Sequence, residues 1–199
     1  MSNMHKKSLK GFSLGEVILA VAVLTVGLLP ILGAMSGALN TSLGSEDVIV
    51  ATGLAQEGAE LVVNVKDNSV LSANDAFVAF PTSGGSAHSS SDTCRISYDS
   101  AVLTNPSSAN TLECSSSGSN WYDLTLSGSF YKHTGAQGKF KRKIYLVYDN
   151  PNYLVGSAVY WGAYVPGNAN NRNQFDTVRS GCTTANECIF VSVETTPWK

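Results

Sequence analysis

The sequence predicts an α+β fold in which one long amino-terminal helix is followed by an antiparallel β-sheet. Two observations lead to this prediction. Apolar residues are concentrated near the start of the chain, and beyond residue 70 the apolar period changes to two, which is typical of half-buried strands. The 199 residues can hold one ordinary domain with an appendage. Their net charge of −2 argues against a protein that coats nucleic acid.

The first 11 residues form a basic leader, with Lys6, Lys7 and Lys10 and no acidic side chain. From Phe12 to Leu39 the chain is almost continuously apolar, and Glu16 is its only ionisable side chain. About 20 such residues span a bilayer core as a helix, and lysines before the span hold the amino end in the cytoplasm. A cleaved secretory signal is the alternative, but this run is longer than a signal core of about 7–15 residues. An acid inside a membrane segment is costly and marks a functional site by default.

The segment Lys10-Gly11-Phe12-Ser13-Leu14-Gly15-Glu16, followed by the apolar run, resembles the type III signal of type IV pilins and pseudopilins. The resemblance covers residues 6–40 and the general layout of the rest, and the texture around Pro30 is most similar to minor pilins of the V type. It implies that a prepilin peptidase cleaves after Gly11 and that the new amine of Phe12 is methylated. Gly15 departs from the aliphatic residue that often precedes the acid, which we expect to loosen the helix slightly.

The roles of Gly11 and Glu16 can also be argued from their chemistry. Glycine places no Cβ in the way of a protease. In a neighbouring copy offset by one subunit, the carboxylate of Glu16 can meet the freed amine of Phe12. Because unpaired charges are costly in apolar surroundings, this pairing would select the register of assembly. The alternative is an acid that snorkels at the membrane interface.

The predicted helix continues beyond the membrane, because an apolar stripe follows on one helical face while acidic residues lie off it. We predict one helix from Phe12 to about Asn64, which stops near Asp67-Asn68-Ser69. Its half at residues 12–39 lies in lipid or in a bundle, and its half at 40–66 packs on a globular head of residues 67–199. The stripe consists of Leu43, Val50, Leu54, Leu61 and Val65, and the acids are Glu46, Asp47, Glu57 and Glu60.

Gly27, Pro30 and Gly33 lie together in the apolar half of this helix. A proline inside a helix removes one backbone hydrogen bond and strains another. Two interpretations stay open. One is a kink that a membrane helix tolerates, and the other is a joint that unwinds when subunits leave the membrane for a filament.

The head shows strand patterns and polar loops. The candidate strands are Cys94–Tyr98, Trp121–Tyr131, Phe140–Tyr148, Ala158–Val165 and Ile189–Glu194. Lys132–Lys139 is interpreted as the long loop of a hairpin between two of them. Serine- and glycine-rich segments at 83–91 and 115–119 are predicted to be surface loops.

Four cysteines follow the predicted span, on the exported side where disulfides form. Four cysteines allow three pairings, and we favour Cys94–Cys114 and Cys182–Cys188 because each closes a local loop flanked by small, polar residues. The second loop also resembles the disulfide-bounded surface region of many pilins. A zinc site is the alternative, but the chain has no CxxC and the head has only His88 and His133 as further ligands. We therefore predict no metal and no cofactor.

No triad context, GxSxG, HExxH or P-loop motif occurs, so we predict that the chain is not an enzyme. His133 is predicted to be a solvated hairpin residue, and the three tryptophans to be core or interface. The basic cluster of Lys139, Lys141, Arg142 and Lys143, with Tyr131, Phe140, Tyr145 and Tyr148 nearby, either alternates charge outward or binds an anionic polymer such as DNA. Turn chemistry explains the oxygen-rich stretches 149–152 and 168–173, with a Ca²⁺ site as the alternative.

Together these features predict a structural subunit, a minor pilin, of a bacterial type IV pilus-like filament. Its partners would be other pilin subunits, the prepilin peptidase, the pilus assembly machinery and the membrane. It would first be a single-pass inner-membrane protein with its amino end in the cytoplasm and then part of a cell-surface filament. The alternatives are a pseudopilin of a type II secretion or DNA-uptake system, and a membrane-anchored ligand-binding module that does not polymerise.

Overall fold

The computed structural model of the chain describes residues 13–73, 80, 91–96, 112–114 and 120–197. The chain divides into two compact units, residues 1–46 and 47–199. As predicted, it is an α+β structure, with an apolar amino-terminal helix followed by an antiparallel sheet. The elements are α1 (Leu14–Ala73), β1 (Ser91–Arg95), β2 (Glu113–Cys114), β3 (Asp123–Ser127), β4 (Phe130–Lys132), β5 (Phe140–Asp149), β6 (Asn152–Tyr160), α2 (Arg172–Gly181), a 3₁₀ turn (Thr184–Asn186) and β7 (Cys188–Thr195).

The two longest strands, β5 and β6, form the centre of the sheet in the second unit, which we call the head. They pair antiparallel from Lys141–Tyr160 to Asp149–Asn152, and β7 lies on the other side of β6. The second edge of β5 is shared by β3, near Phe140, and β1, near Ile144. The short strands β4 and β2 extend the sheet from β3 and β1.

Residues 51–69 of α1 cover one face of this sheet. Apolar side chains of alternate positions in β5 and β6 pack against them, because successive residues of a strand point to opposite faces. Of the predicted stripe, Leu54, Leu61 and Val65 are buried and Val50 is half-buried, while the side chain of Leu43 is outside the described set. The buried face is wider than predicted, because Ala51, Ala55, Ala59 and Val62 also lie on it. Their small size brings the helix close to the sheet.

The opposite face of the sheet is covered by α2, which the sequence analysis missed. Phe175 and Val178 of this helix pack on apolar residues of β5 and β6. A Cβ built on Gly156 would lie 2.8 Å from the ring of Phe175, so the absence of a side chain at this position of β6 allows α2 to pack closely. Asn171, predicted to belong to a polar turn, is the N-cap of α2, and its side chain accepts a hydrogen bond from the backbone N–H of Gln174 at 3.0 Å.

The end of α1 differs from the prediction, because the helix continues through Asp67-Asn68-Ser69 to Ala73. The polar side chains there bond to the preceding turn instead of capping the end. Ser69 is buried and its Oγ donates to the carbonyl oxygen of Val65 at 2.9 Å, and Asn68 donates to the side chain of Asn64 at 2.8 Å. Contact with the head therefore extends the helix beyond its local stop signal.

Three strand predictions are wrong in detail. Trp121–Tyr131 is two strands, because Gly128 has a φ of 67° and forms a two-residue turn with Ser129. Ala158–Val165 lies too late, since the strand is Asn152–Tyr160. Lys132–Lys139 does not join two paired strands, because β4 pairs with β3 and not with β5. The segments 83–90 and 115–119 and the end of the predicted strand Cys94–Tyr98 lie outside the described residues.

Candidate functional site

The most distinctive surface of the described chain is the apolar start of α1. Leu14–Ala38 has a mean hydropathy of 2.6 over 25 residues, and none of it is buried. The segment is long and apolar enough to cross a membrane. Gly44–Val70 is also long and apolar, with a hydropathy of 1.3, but 44% of it is buried in the head. Only the first segment therefore leaves its whole apolar surface without cover.

Glu16 belongs to a capping box at the first turn of α1. Its Oε2 accepts a hydrogen bond from the backbone N–H of Ser13 at 3.3 Å, and Oγ of Ser13 accepts one from the N–H of Gly15 at 3.3 Å. This reciprocal pattern satisfies two of the free N–H groups at a helix start. The spacing Ser13-x-x-Glu16 is the sequence signal for this capping box. Glu16 thus has a partner within its own chain as well as the predicted one in a neighbour.

Gly27, Pro30 and Gly33 lie inside α1, which is helical throughout this region. A Cβ built on either glycine would meet nothing within 4 Å, so no contact among the described residues explains these two glycines. Thr25 donates to the carbonyl oxygens of Val21 and Ala22 at 3.0 and 2.9 Å, which is a common local bond of a polar residue in a helix. Unwinding of this segment in a filament stays a prediction.

The processing residues Gly11 and Phe12 lie outside the described residues, and so do His88 and Trp198. The predicted cleavage, methylation and staggered pairing of Phe12 with Glu16 therefore stay predictions.

A buried arginine joins α1 to the sheet. Arg142 of β5 has no exposed surface. Its guanidinium donates to the carbonyl oxygen of Leu54 at 3.0 Å, to Oε1 of Glu57 at 3.3 Å and to the carbonyl oxygen of Ile96. Burial lowers the pKa of Arg142, and the charge and hydrogen bond of Glu57 oppose that shift. We call these residues, with Gly58, the helix–head clamp.

Gly58 allows the close approach that the helix–head clamp requires. A Cβ at this position would lie 2.5 Å from Oγ of Ser157, 2.8 Å from Cδ of Arg142 and 3.2 Å from Cδ1 of Ile144. Within the described chain, Oγ of Ser157 and Nε of Arg142 have no hydrogen-bond partner. The arginine is therefore held by its two terminal nitrogens, which reach both the helix and the residue that follows β1.

The helix–head clamp was not predicted, because Arg142 stands in a run of basic residues that resembles a charged surface. Its position between Phe140 and Ile144 in a strand of period two was the signal that it points inward. Lys143 is also buried, and its Nζ donates to the carbonyl oxygen of Gly167 at 3.2 Å and to Asn168 at 3.1 Å.

Of the other two members of the basic cluster, Lys139 is exposed and Lys141 is half-buried, and both face acids. Nζ of Lys139 lies 2.5 Å from Asp47 and Nζ of Lys141 lies 3.9 Å from the buried Asp123. Among the described residues the cluster is therefore not a continuous cationic surface, and binding of an anionic polymer such as DNA stays a hypothesis.

The prediction that His133 is solvated is wrong. Its Nδ1 lies 3.1 Å from the carbonyl oxygen of Asp123. Burial, and then the positive charges of Arg142 and Arg95, lower the pKa of His133 from 6.5 to about 3. The imidazole is therefore neutral at neutral pH.

Burial likewise raises the pKa of Tyr160, to about 12, with further contributions from Tyr122 and Asp123.

The two oxygen-rich stretches use their side chains for structure. Asp149 pairs with Arg172, the side chain of Asn150 accepts from the hydroxyl of Tyr148 at 3.2 Å, and Asn152 donates to Glu194 at 2.9 Å. Among the described residues there is no group of three or more His, Cys, Asp or Glu that could hold a metal.

The cysteines form the disulfides Cys94–Cys114 and Cys182–Cys188. The first links β1 to β2 at a paired position of the sheet. The second joins the residue after α2 to the first residue of β7 and encloses the 3₁₀ turn. Cζ of Arg95 lies 3.7 Å from the centroid of the Trp121 ring, and the ring of Trp161 contacts that of Phe140. Both tryptophans are therefore packed in the head, as predicted.

The chain matches no protein-family model, no curated protein and no solved structure. Its function is therefore argued from its own residues.

Proposed function

We propose that this chain is a structural subunit of a type IV pilus-like filament, of the minor-pilin kind. It would be made as a membrane-inserted precursor, cleaved after Gly11, methylated at Phe12 and assembled through its amino-terminal helix. The observation that carries the proposal is the apolar segment Leu14–Ala38, which none of the described residues covers and which contains one acid, Glu16. An apolar surface of this size is stable only in lipid or against other proteins.

The sequence before this segment supports the same proposal. A basic leader that ends in Gly11, followed by Phe12 and an acid at the fifth position of the cleaved chain, resembles the processing signal of pilins and pseudopilins. A plain membrane anchor needs neither the glycine nor the acid, and the acid makes insertion more costly.

The head is suited to a subunit that works outside the cytoplasm. Its sheet is covered on both faces, by α1 and by α2, and it carries two disulfides, which persist in oxidising compartments. Arg142 and Gly58 fix α1 on the sheet, so force or displacement on the helix is passed to the head through buried contacts.

The proposal is tested with Gly11→Val in the native host. We expect the variant chain to keep its leader, to accumulate in the membrane fraction and to be missing from sheared surface fibres. Gly44→Val is the matched control, because a Cβ at Gly44 would meet nothing within 4 Å. If the parent chain itself keeps its leader and never enters a surface polymer, it is a membrane-anchored protein and the proposal is wrong.

A further inference from the structure

The hairpin formed by β3 and β4 carries an exposed apolar tip. Leu126 and Phe130 are 63% and 53% exposed, and they lie on either side of the Gly128–Ser129 turn. Because Leu126 pairs with Tyr131 and Ser127 pairs with Phe130, the two exposed side chains point to opposite faces of the ribbon. The tip therefore presents apolar surface in two directions.

The hairpin extends toward the end of the head at which α1 enters. β3 is antiparallel to β5 and pairs through Leu124 with Phe140, the first residue of β5. Residues after Leu124 advance by about 3.3 Å each beyond the start of β5, so Ser127 lies about 10 Å farther on. Lys139, just before β5, binds Asp47, the first residue of the head, at 2.5 Å. The apolar tip and Asp47 therefore share one end of the head.

The segment of a second copy that fits this tip is its apolar helix, residues 14–38. In a polymer outside lipid this helix must be covered by other copies, because none of it is buried by the residues that the structure describes. The charges are also complementary. The basic side chains of residues 124–138 are Lys132 and the neutral His133, and this stretch has no Asp or Glu, while Glu16 is the one ionisable side chain of residues 14–38.

We infer that the tip of the β3–β4 hairpin packs against the helix 14–38 of a second copy of this chain. The inference rests on the proposed filament and names one of its subunit contacts. Leu126 and Phe130 supply the apolar contact on the two faces of the ribbon, so that in the filament each of them meets the helix of a different neighbouring copy. The two-residue turn at Gly128 holds them at a fixed spacing. Apolar and aromatic side chains at the centre of such contacts carry much of the binding energy.

The test is site-specific photo-crosslinking in the full chain, in cells, with a benzophenone amino acid at position 126 or 130. The matched control is the same probe at Val193, an exposed apolar residue of β7. We expect a covalent dimer whose linked peptide lies within residues 14–38 of the second copy, from positions 126 and 130 and not from 193. Adducts to lipid alone, or to another part of the second copy, overturn the inference.

A double variant, Leu126→Lys with Phe130→Lys, gives a second readout. We expect the amount of chain in sheared surface polymer to fall by about tenfold, which is 1.4 kcal/mol in binding, while the membrane-bound amount is unchanged. Val193→Lys should leave both amounts unchanged. If the parent chain forms no polymer, the proposed function fails. If the parent and the double variant polymerise equally, only the hairpin contact is wrong.

Discussion

Gly58 of α1 lies directly over Arg142 of β5, so that a Cβ on the glycine would stand 2.8 Å from Cδ of the arginine. This closeness lets the guanidinium reach the carbonyl oxygen of Leu54 at 3.0 Å and the carboxylate of Glu57 at 3.3 Å. The missing side chain at Gly58 and the buried guanidinium of Arg142 therefore determine the position of α1 on the sheet.

Gly58→Ala should destabilise the head although alanine is the better helix former. The added methyl group would collide with Ser157 and Arg142, and overpacking of this kind costs about 1–3 kcal/mol. Urea unfolding of the full chain in detergent, followed by tryptophan fluorescence, measures the change. Gly53→Ala is the control, because its Cβ would meet nothing within 4 Å. It should raise the free energy of unfolding by about 0.5–1 kcal/mol. If Gly58→Ala and Gly53→Ala changed the free energy of unfolding equally, Gly58 would not lie close to Arg142 and Ser157.

Glu57→Ala should lower the free energy of unfolding because it leaves Arg142 as a buried charge without an anionic partner. Breaking a fully buried pair costs about 3–5 kcal/mol. Since the side chain of Glu57 is 37% exposed, we expect a smaller loss, about 2 kcal/mol. Glu60→Ala removes an exposed acid one turn away and should change stability by less than about 0.5 kcal/mol. A loss as small for Glu57→Ala as for Glu60→Ala would contradict the role of the pair.

The head should become less stable as the pH falls from about 6.5 toward 3, through the imidazole of His133. Its pKa is about 3 in the folded head and 6.5 unfolded, so in this window the unfolded chain binds the extra proton. We expect a loss of about 3 kcal/mol between pH 7 and pH 4 from this one group.

The measurement for His133 is the free energy of unfolding as a function of pH for the parent chain and for His133→Asn, whose amide can still bond to the Asp123 carbonyl. Carboxylates contribute equally to both curves, so their difference isolates the imidazole. Parallel curves between pH 7 and pH 4 would mean that His133 titrates normally.

Glu16→Ala and Ser13→Ala separate the two roles of Glu16. Both substitutions break the capping box, which costs about 1 kcal/mol of helix stability. Only Glu16→Ala removes the acid that is proposed to pair with a neighbour. We expect both variants to be cleaved after Gly11, and only Glu16→Ala to be missing from surface polymer. If the two variants assemble equally well or equally badly, Glu16 acts as a cap and not as an assembly residue.

The long helix, the β-rich head and the local disulfides could be predicted from sequence because each depends on near neighbours in the chain. A continuous apolar run, a period of two and short cysteine spacings are local patterns. The two-residue turn at Gly128 and the capping box of Ser13 and Glu16 were also local and were overlooked, since the apolar signal on either side dominated the interpretation.

The features that failed depend on contacts between distant segments. Ser69 looks like a stop signal until the head buries it, and α2 has only Phe175 and Val178 to mark its apolar face. In the sequence Arg142 belongs to a run of basic residues that is typical of a surface, whereas in the folded head α1 covers it. The lowered pKa of His133 follows first from its burial and then from the positive charges of Arg142 and Arg95, and all three depend on how the chain packs. Contacts between distant segments produce only a weak local pattern in a single sequence, so these features were not predicted from it.

The central claim is tested most directly by mass spectrometry of this chain in fibres sheared from the surface of its native cells. The account predicts a chain that begins at Phe12 with a methylated amine and is present as an integral component of the fibres. A chain found only in the membrane, with Lys6, Lys7 and Lys10 still attached, would contradict it.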